Sequence, residues 1–465
     1  MKRPVMRCAC RFIAIARVGF GPGMVLRLVL GLLLCSVFSP AAAMAGQTVI
    51  VDTTVTSGVA GNSPDTNGAY PPSGGYGALL APDGNTVIIK NSVTGDVFGG
   101  YTESSNGANS NSVTLNNGTV RGSVFGGTAS NADFATANSN IVTINGGIVS
   151  GNVYGGHAEN SPAGFAAAAV GNSVFINGGE VSQCDVHGGL ARNYGAAGFA
   201  TASSNSVFIN GGKVSGDVYG GWAWSRGTPG SATATNNTVT ISGNPAFGAG
   251  AILFGGYTDA SPGGVAGDAF TGNTLNLNTP ITIAGVQNFQ FLNFTFPASQ
   301  AAAMITGNVA LGDATYGNSV ITATTLGGTA PLRPGDSVTL INGAIANNGP
   351  DPITSATGMH GVVLNYLRAF DQATGVATVN SVQSNPQLKS LSEGFLSGVA
   401  LVNQGADLIA GKGVMEAALS TKTQGLSAGN GAGFGIGTFA AISGGYSRYN
   451  TGSHVDMSGL SLLAG

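Results

Sequence analysis

The feature that most limits what this chain can fold into is an internal repeat. The segment Asn140-Ile-Val-Thr-Ile-Asn-Gly-Gly-Ile-Val-Ser-Gly-Asn-Val-Tyr-Gly-Gly156 has a near duplicate in Asn205-Ser-Val-Phe-Ile-Asn-Gly-Gly-Lys-Val-Ser-Gly-Asp-Val-Tyr-Gly-Gly221. Further copies cover 85–100, 111–127, 172–189 and, in degenerate form, 237–256, and a seventh begins at Asn273. A short unit repeated this often cannot bury its own apolar face. It becomes stable only by stacking on copies of itself.

Each part of the unit has a mechanical reading. Val142 and Ile144 alternate with Thr143, the period of a half-buried strand. Asn145-Gly146-Gly147 supplies the turn, Val149 restarts a strand, Ser150-Gly151 turns again, and Val153-Tyr154 forms a third short strand before Gly155-Gly156. The expected fold is all-β, a parallel β-helix in which Val142, Ile144, Val149 and Val153 point inward. Their counterparts Val174, Ile176, Val181 and Val186 should sit one coil, about 4.8 Å, away. The variable segments between copies, such as 101–110 and 158–171, are expected to project as loops. The copy at Asn172 is one residue longer, reading Ser182-Gln-Cys-Asp185, which predicts a bulge with Cys184 near the surface. A disordered glycine-rich tract would lack the regular β-branched positions. A propeller blade needs about 40 to 50 residues and four strands, more than the spacing provides.

Composition agrees with a strand-built scaffold. Of 465 residues 77 are Gly, only 8% are charged and 43% are hydrophobic, so helix-surface residues are scarce while a core can still be built. Lys2, Arg3, Arg7, Arg11, Arg17 and Arg27 all precede residue 45. The remainder holds 11 basic against 20 acidic residues, net about −9. With no basic patch to neutralise phosphates, nucleic acid is not an expected partner. Cys8, Cys10 and Cys35 are N-terminal, so Cys184 stands alone and cannot form an internal disulfide with the rest.

Residues 1–45 have the three parts of a secretory signal: the basic stretch ending at Arg27, the apolar run Leu28 to Phe38, and the small residues Ala41 to Ala45. Cleavage is expected after Ala45, with Ala43 the second choice. The apolar run is too short for a membrane span of about 20 residues. Cys35 after Leu34 fits a lipoprotein site poorly because Leu34 is bulky.

From Pro280 the motif fades, yet strand patterns continue in Val286 to Phe296 and Arg333 to Ile341. After Pro386 the period changes. Ser390-Leu-Ser-Glu393 forms a capping box, followed by apolar Phe395, Val399 and Val402 among many small residues, which predicts a helix. Gly433 to Tyr449 and His454 to Gly465 then alternate around a turn, as a transmembrane β-hairpin would. The stretch Phe439-Ala-Ala-Ile-Ser-Gly-Gly-Tyr-Ser-Arg-Tyr-Asn-Thr-Gly-Ser-His-Val-Asp456 resembles the opening of the β-domain of classical type V autotransporters, of the pertactin and diffuse-adherence adhesin type.

That resemblance implies an organisation of signal peptide (1–45), repeat β-helix passenger (46–279), C-terminal passenger coils that aid folding (280–385), linker helix threading a membrane pore (386–425) and the truncated start of a β-barrel (426–465). It implies an outer-membrane or cell-surface location, the barrel-assembly machinery as partner, and host-surface or cell–cell contacts. Family barrels have about a dozen strands and a terminal aromatic residue, whereas this chain ends in Ala464-Gly465. Two strands leave unsatisfied edges in lipid, so this form alone is expected to stay periplasmic.

The sequence nominates no catalytic, cofactor or metal residue. Gly335-Asp336-Ser337 is similar to the nucleophile motif of secreted esterases but lies late, inside a strand-forming run. His157, His187, His360 and His454 are scattered, and His187 replaces the Tyr of the repeat. Gly263 to Asp268 is a single echo of a calcium-binding nonapeptide, and no acidic pair recurs across coils as a glycosidase would need. The expected function is a non-enzymatic adhesin or self-association passenger, without cofactor; the alternative is a passenger hydrolase on the same scaffold.

Overall fold

A computed structural model describes residues 46–61, 69–70, 82–103, 107–162, 164–195, 198–226, 231–261, 265–327, 332–360 and 364–385, together with 440–450, 454–464 and parts of 394–419. The signal segment and the capping box at Ser390 lie outside the described residues.

The repeats stack as a parallel β-solenoid of about seven turns. In the coil headed by Asn140, the strands run Ile141–Ile144, Ile148–Val149, Val153–Asn160 and Ala166–Val170. Each pairs in parallel with its counterpart in the next coil. Val142 faces Val174, Ile144 faces Ile176, Val149 faces Val181 and Val153 faces Val186. All eight side chains are fully buried, as the alternation required. Among the described residues the stacked strands make four sheets of fourteen, five, twelve and five strands, called first to fourth in the order the chain visits them.

Two expectations need correction. The third strand of the unit does not stop at Gly155-Gly156; it runs on to Asn160. Nor are the variable segments merely loops. They return as the fourth sheet, whose strands Phe134–Thr136, Ala166–Val170, Phe199–Ser203, Ser231–Thr233 and Val265–Ala266 are in register from coil to coil. Each coil therefore encloses two cores. The larger is built of Val, Ile and Leu. The smaller contains only alanines, among them Ala129, Ala158, Ala167, Ala191, Ala200 and Ala223. Methyl-sized side chains allow the third and fourth sheets to approach more closely than the usual sheet separation of about 10 Å. Because Ala alternates with Ser, Thr and Gly there, its period-two signal is faint in the sequence.

The waist between the cores is built by the first residue of every repeat. Asn85, Asn111, Asn140, Asn172, Asn205, Asn237 and Asn273 are all buried and form one continuous ladder. The backbone N–H and side-chain Nδ2 of each donate to Oδ1 of the next. Asn140 reaches Asn172 at 2.9 and 3.1 Å, and Asn172 reaches Asn205 at 3.0 Å by both routes. A buried amide costs energy unless its donors and acceptor are used, and the stack uses them. The chain enters each ladder residue from a left-handed residue: Gly84, Ser110, Ser139, Gly171, Ser204, Asn236 and Gly272 have φ between 57° and 73°. That left-handed step turns the chain from the fourth sheet into the first and points the amide inward. Opposite the ladder, the paired glycines leave room for it. A Cβ on Gly155 would lie 2.3 Å from the carbonyl oxygen of Gly188 and 3.0 Å from Cβ of Asn172.

Beyond Asn273 the coils change. Gln290 takes the next ladder position and accepts from Gly272 N–H at 2.7 Å, and the waist is filled by buried Phe289. The alanine core ends here, and Phe294, Phe296 and Ile321 fill a single core. The strands Ser355–His360, Leu364–Asp371 and Val376–Ser384 pair antiparallel and cover the growing edge of the first sheet, which an uncapped solenoid would leave open. Arg368 is buried in this cap, with Nη2 donating to Thr325 Oγ1 at 2.9 Å and the guanidinium 5.7 Å from the Phe296 ring.

Residues 402–415 are helical, with a π-helical stretch at Leu408–Gly413 that encloses Gly411. Among the described residues no helix is long and apolar enough to cross a membrane, which says nothing of spanning strands. The hairpin pairs Ala440–Asn450 with His454–Ala464 in unbroken antiparallel register, from Ala440 opposite Ala464 to Asn450 opposite His454. Eleven residues per strand match the length a tilted membrane strand needs, about 9 to 11.

Candidate functional site

The chemically richest surface of the solenoid is the outer side of the third sheet. The residue after each inward Val faces outward, and identical registers place these residues in one column: Phe98, Phe125, Tyr154, His187, Tyr219 and Phe254. Their rings stack with centroids 4.7 to 4.8 Å apart and planes within 10°. That spacing is the inter-strand repeat itself. The glycine pair bends the strand after this column, so the outward residues beyond it fold back over the rings. His157 lies 5.4 Å from Tyr154, Trp222 lies 5.1 Å from Tyr219, and Tyr257 meets Trp222 edge-on at 5.3 Å. Both tryptophans of the chain, Trp222 and Trp224, are on this side.

The column is flanked by a ladder of polar corners. Ser123 N–H donates to Asp96, Asp185 N–H to Asn152, and Asp217 N–H to Asp185, at 2.7 to 2.9 Å. Asn152 donates to the Tyr154 hydroxyl at 2.7 Å, and Tyr219 donates to Asp217 at 3.2 Å. Burial raises the Asp185 carboxyl above the usual range, opposed by the hydrogen bond it accepts from Asp217 N–H and helped to a smaller degree by the Asp217 charge. Burial likewise raises the phenols of Tyr154 and Tyr219. On another corner of the coil a second polar column is exposed to solvent: Asn145, Asn177 and Asn210 each donate from Nδ2 to the preceding Asn116, Asn145 and Asn177 at 2.9 to 3.0 Å.

The histidines are part of the ring stack. His187 is buried between Tyr154 and Tyr219, and its Nδ1 has no hydrogen-bond partner. Burial lowers both His157 and His187 to about 3, with the positive charge of Arg192 acting in the same direction on both. Each is therefore neutral at pH 7, and the 3.5 Å approach of His157 to Glu159 is not an ion pair there.

The linkage has a definite sign. The unfolded imidazoles take up protons near 6.5 and the folded ones only near 3, so stability is complete above pH 6.5 and falls as pH drops toward 3. At pH 5 each histidine should cost about 2 kcal/mol. His187→Tyr restores the residue of the sister repeats. It is expected to remove about half of the stability difference between pH 7 and pH 5, measured by urea denaturation. An unchanged difference would show that His187 does not carry it.

The other sequence candidates are placed as follows. Asp336 closes a turn, accepting from Arg333 N–H at 2.6 Å, and Ser337 opens an edge strand paired antiparallel with Val376–Ser384. No described histidine hydrogen-bonds to Ser337. The His360 backbone pairs with Leu364 within the C-terminal cap, and the His454 backbone pairs with Asn450 in the hairpin. Asp268 caps its own turn by accepting from Phe270 and Thr271 N–H at 2.9 Å, while 262–264 lie outside the described residues. Among the described residues no group of three metal-ligating side chains converges.

At the odd repeat the extra residue is absorbed in the corner, where Gln183 takes a left-handed φ of 63°. Cys184 packs partly against the main core, and its thiol donates to Ser150 O at 3.1 Å. Burial, then the Asp185 carboxylate, raises its pKa above the ordinary thiol value. Iodoacetamide should thus modify Cys184 in the folded protein, more slowly at pH 8 than it modifies glutathione. Modification only after unfolding would contradict the half-open corner.

The alternation Val-Tyr-Gly-Gly was visible in the sequence, but the stacked column was not, because ring-on-ring contact needs the register between coils. By fold the protein belongs to the parallel β-solenoids. No protein-family model matches the chain, and no curated protein or solved structure matches it.

Proposed function

We propose that the chain is the exported passenger of a type V autotransporter, and that its solenoid serves as a cell-surface adhesin or self-association scaffold. The observation that carries this reading is the solenoid itself: a rigid rod whose outer columns repeat the same uncharged polar or aromatic group every coil. The exposed Asn116, Asn145, Asn177 and Asn210 are one such column. A rod of this kind presents many equivalent weak contacts in a line, which suits multivalent attachment better than turnover of one bound substrate. The basic, apolar and small-residue segments at 1–45 support export, and the paired eleven-residue strands at 440–464 support membrane insertion.

The test is made in cells that produce the full chain. The exported protein should begin at Gly46, and antibodies against the solenoid should label intact cells when the missing barrel strands are supplied. Cells should clump or attach to surfaces less when the gene is deleted. Retention of residues 1–45 would overturn the export reading, and no labelling of intact cells even with that barrel would overturn the surface reading. Covalent capture by a fluorophosphonate probe would replace adhesion with the hydrolase alternative.

A further inference from the structure

The alanine core ends in a ridge that no part of the described fold covers. Phe134, Phe165 and Phe199 stand at the entrance to successive strands of the fourth sheet, and are 51%, 58% and 57% exposed. Phe134 and Phe165 stack at 5.5 Å, and Phe199 N–H donates to the Phe165 carbonyl at 3.0 Å; Phe134 and Phe199 both oppose Ala166 in the register, and Phe165 stands one residue before it, so three successive coils each bring one phenylalanine to this edge. Two coils further on, Val265 continues the line at 52% exposure. Large apolar side chains held half open in a row are uncommon on a monomer and mark contact sites.

We infer that this ridge is a contact surface for a second copy of this chain, a proposal that rests on the reading of the solenoid as a self-association scaffold. Three observations select that occupant. Three successive coils each contribute one phenylalanine, so a second ridge carries the same three rings at the same spacing. Two-fold contacts between identical patches are the commonest route to self-assembly. Ala166, level with Phe134 and Phe199, and the outward residues behind them, Thr136, Ala168, Thr201 and Thr233, are small and uncharged, and give a facing phenyl ring shallow places to pack. Copies of an acidic chain repel elsewhere but not across this strip. The charge at its end, Asp133, is separated from its equivalent when two ridges run antiparallel. The absence of lysine and arginine among those neighbours removes the attraction to anionic headgroups that a lipid-binding ridge would use.

The area sets the strength. Half-exposed phenyl rings offer on the order of 100 Å² each, so the ridge supplies a few hundred Å² per partner against about 800 Å² in a stable complex. One pair of ridges is therefore a weak contact, and many copies side by side make a strong one.

The purified full chain is examined by sedimentation velocity over a hundredfold concentration range, beside a triple variant with Phe134→Ser, Phe165→Ser and Phe199→Ser. The native chain should associate as concentration rises, and the variant at least tenfold more weakly. An unchanged circular dichroism melt would show that the variant is folded. In a background with Cys8, Cys10, Cys35 and Cys184 all replaced by Ser, Phe165→Cys should form a disulfide-linked dimer under mild oxidation at least tenfold faster than Ile148→Cys, which is 41% exposed on the second sheet. Monomeric native chain at every concentration, with equal oxidation rates at the two positions, overturns the proposal. So does flotation of the native chain with phosphatidylcholine vesicles, lost in the triple variant, without self-association. These measurements do not depend on display, so they can fail while the export reading stands, and the reverse.

Discussion

Replacing Asn172 with Leu is expected to destabilise the solenoid by about 4 kcal/mol, although the two side chains are similar in size. The substitution strands the backbone N–H of Asn140 and one of its two Nδ2 hydrogens, which lose their shared acceptor at 2.9 and 3.1 Å, while Nδ2 keeps its bond to Ala108 O at 3.0 Å. It also removes the Nδ2 donor to Asn205 at 3.0 Å. These groups are fully buried, so water cannot replace the lost partner, and each stranded donor costs about 1 to 3 kcal/mol. Asn177→Leu in the exposed column breaks two bonds of similar length, 3.0 and 2.9 Å, but should cost less than about 1 kcal/mol, because solvent satisfies what is left. The pair is read by urea denaturation and by limited proteolysis. The Asn172 variant should be nicked near 158–171, since neighbouring coils open with it. Equal losses for the two variants would refute the ladder as the axis of the fold.

The second large effect is expected from a single methyl group. Gly155→Ala places Cβ 2.3 Å from the Gly188 carbonyl oxygen, and the obstacle is backbone rather than a movable side chain. Relief requires the third sheet to shift, which disturbs the ladder on one side and the ring stack on the other. The cost should be about 3 kcal/mol or more. Gly250→Ala is the matched control: nothing lies within 4 Å of its added Cβ, and its φ lies outside the left-handed region. That change should be neutral or stabilise by up to about 1 kcal/mol through the unfolded chain. If Gly155→Ala left the denaturation midpoint unchanged, the waist would have to be looser than this close backbone approach implies.

Both effects arise at the waist, a place where one residue type meets itself across coils. The same logic explains the ring column. A parallel, in-register stack puts identical positions about 4.8 Å apart, so any planar group repeated in sequence becomes a continuous stack in space. His187 fits in that stack because imidazole is flat and, when neutral, tolerates burial. Its price is the acid sensitivity described above.

Much of the architecture was legible in the residues alone. The alternation of Val142 and Ile144 with Thr143, and the constant length of the unit, determined a parallel solenoid and the inward face of three strands, since period-two burial and repeated turns leave few other solutions. The one-residue insertion at Ser182 to Asp185 likewise located a corner irregularity, where Gln183 now takes a left-handed conformation. The second core, the buried asparagines and the phenylalanine ridge were decided only by tertiary structure. Alanine is neither strongly apolar nor a strong strand former, so Ala167 and Ala200 carry little signal until two sheets close on them. An asparagine before a strand reads as a turn residue. Nothing short of the next coil, with Asn205 beneath Asn172, shows that its amide is inside and fully bonded. Local periodicity reports which side of a strand is buried; what that side meets depends on register between coils 26 to 36 residues apart in the chain, and that is set by packing.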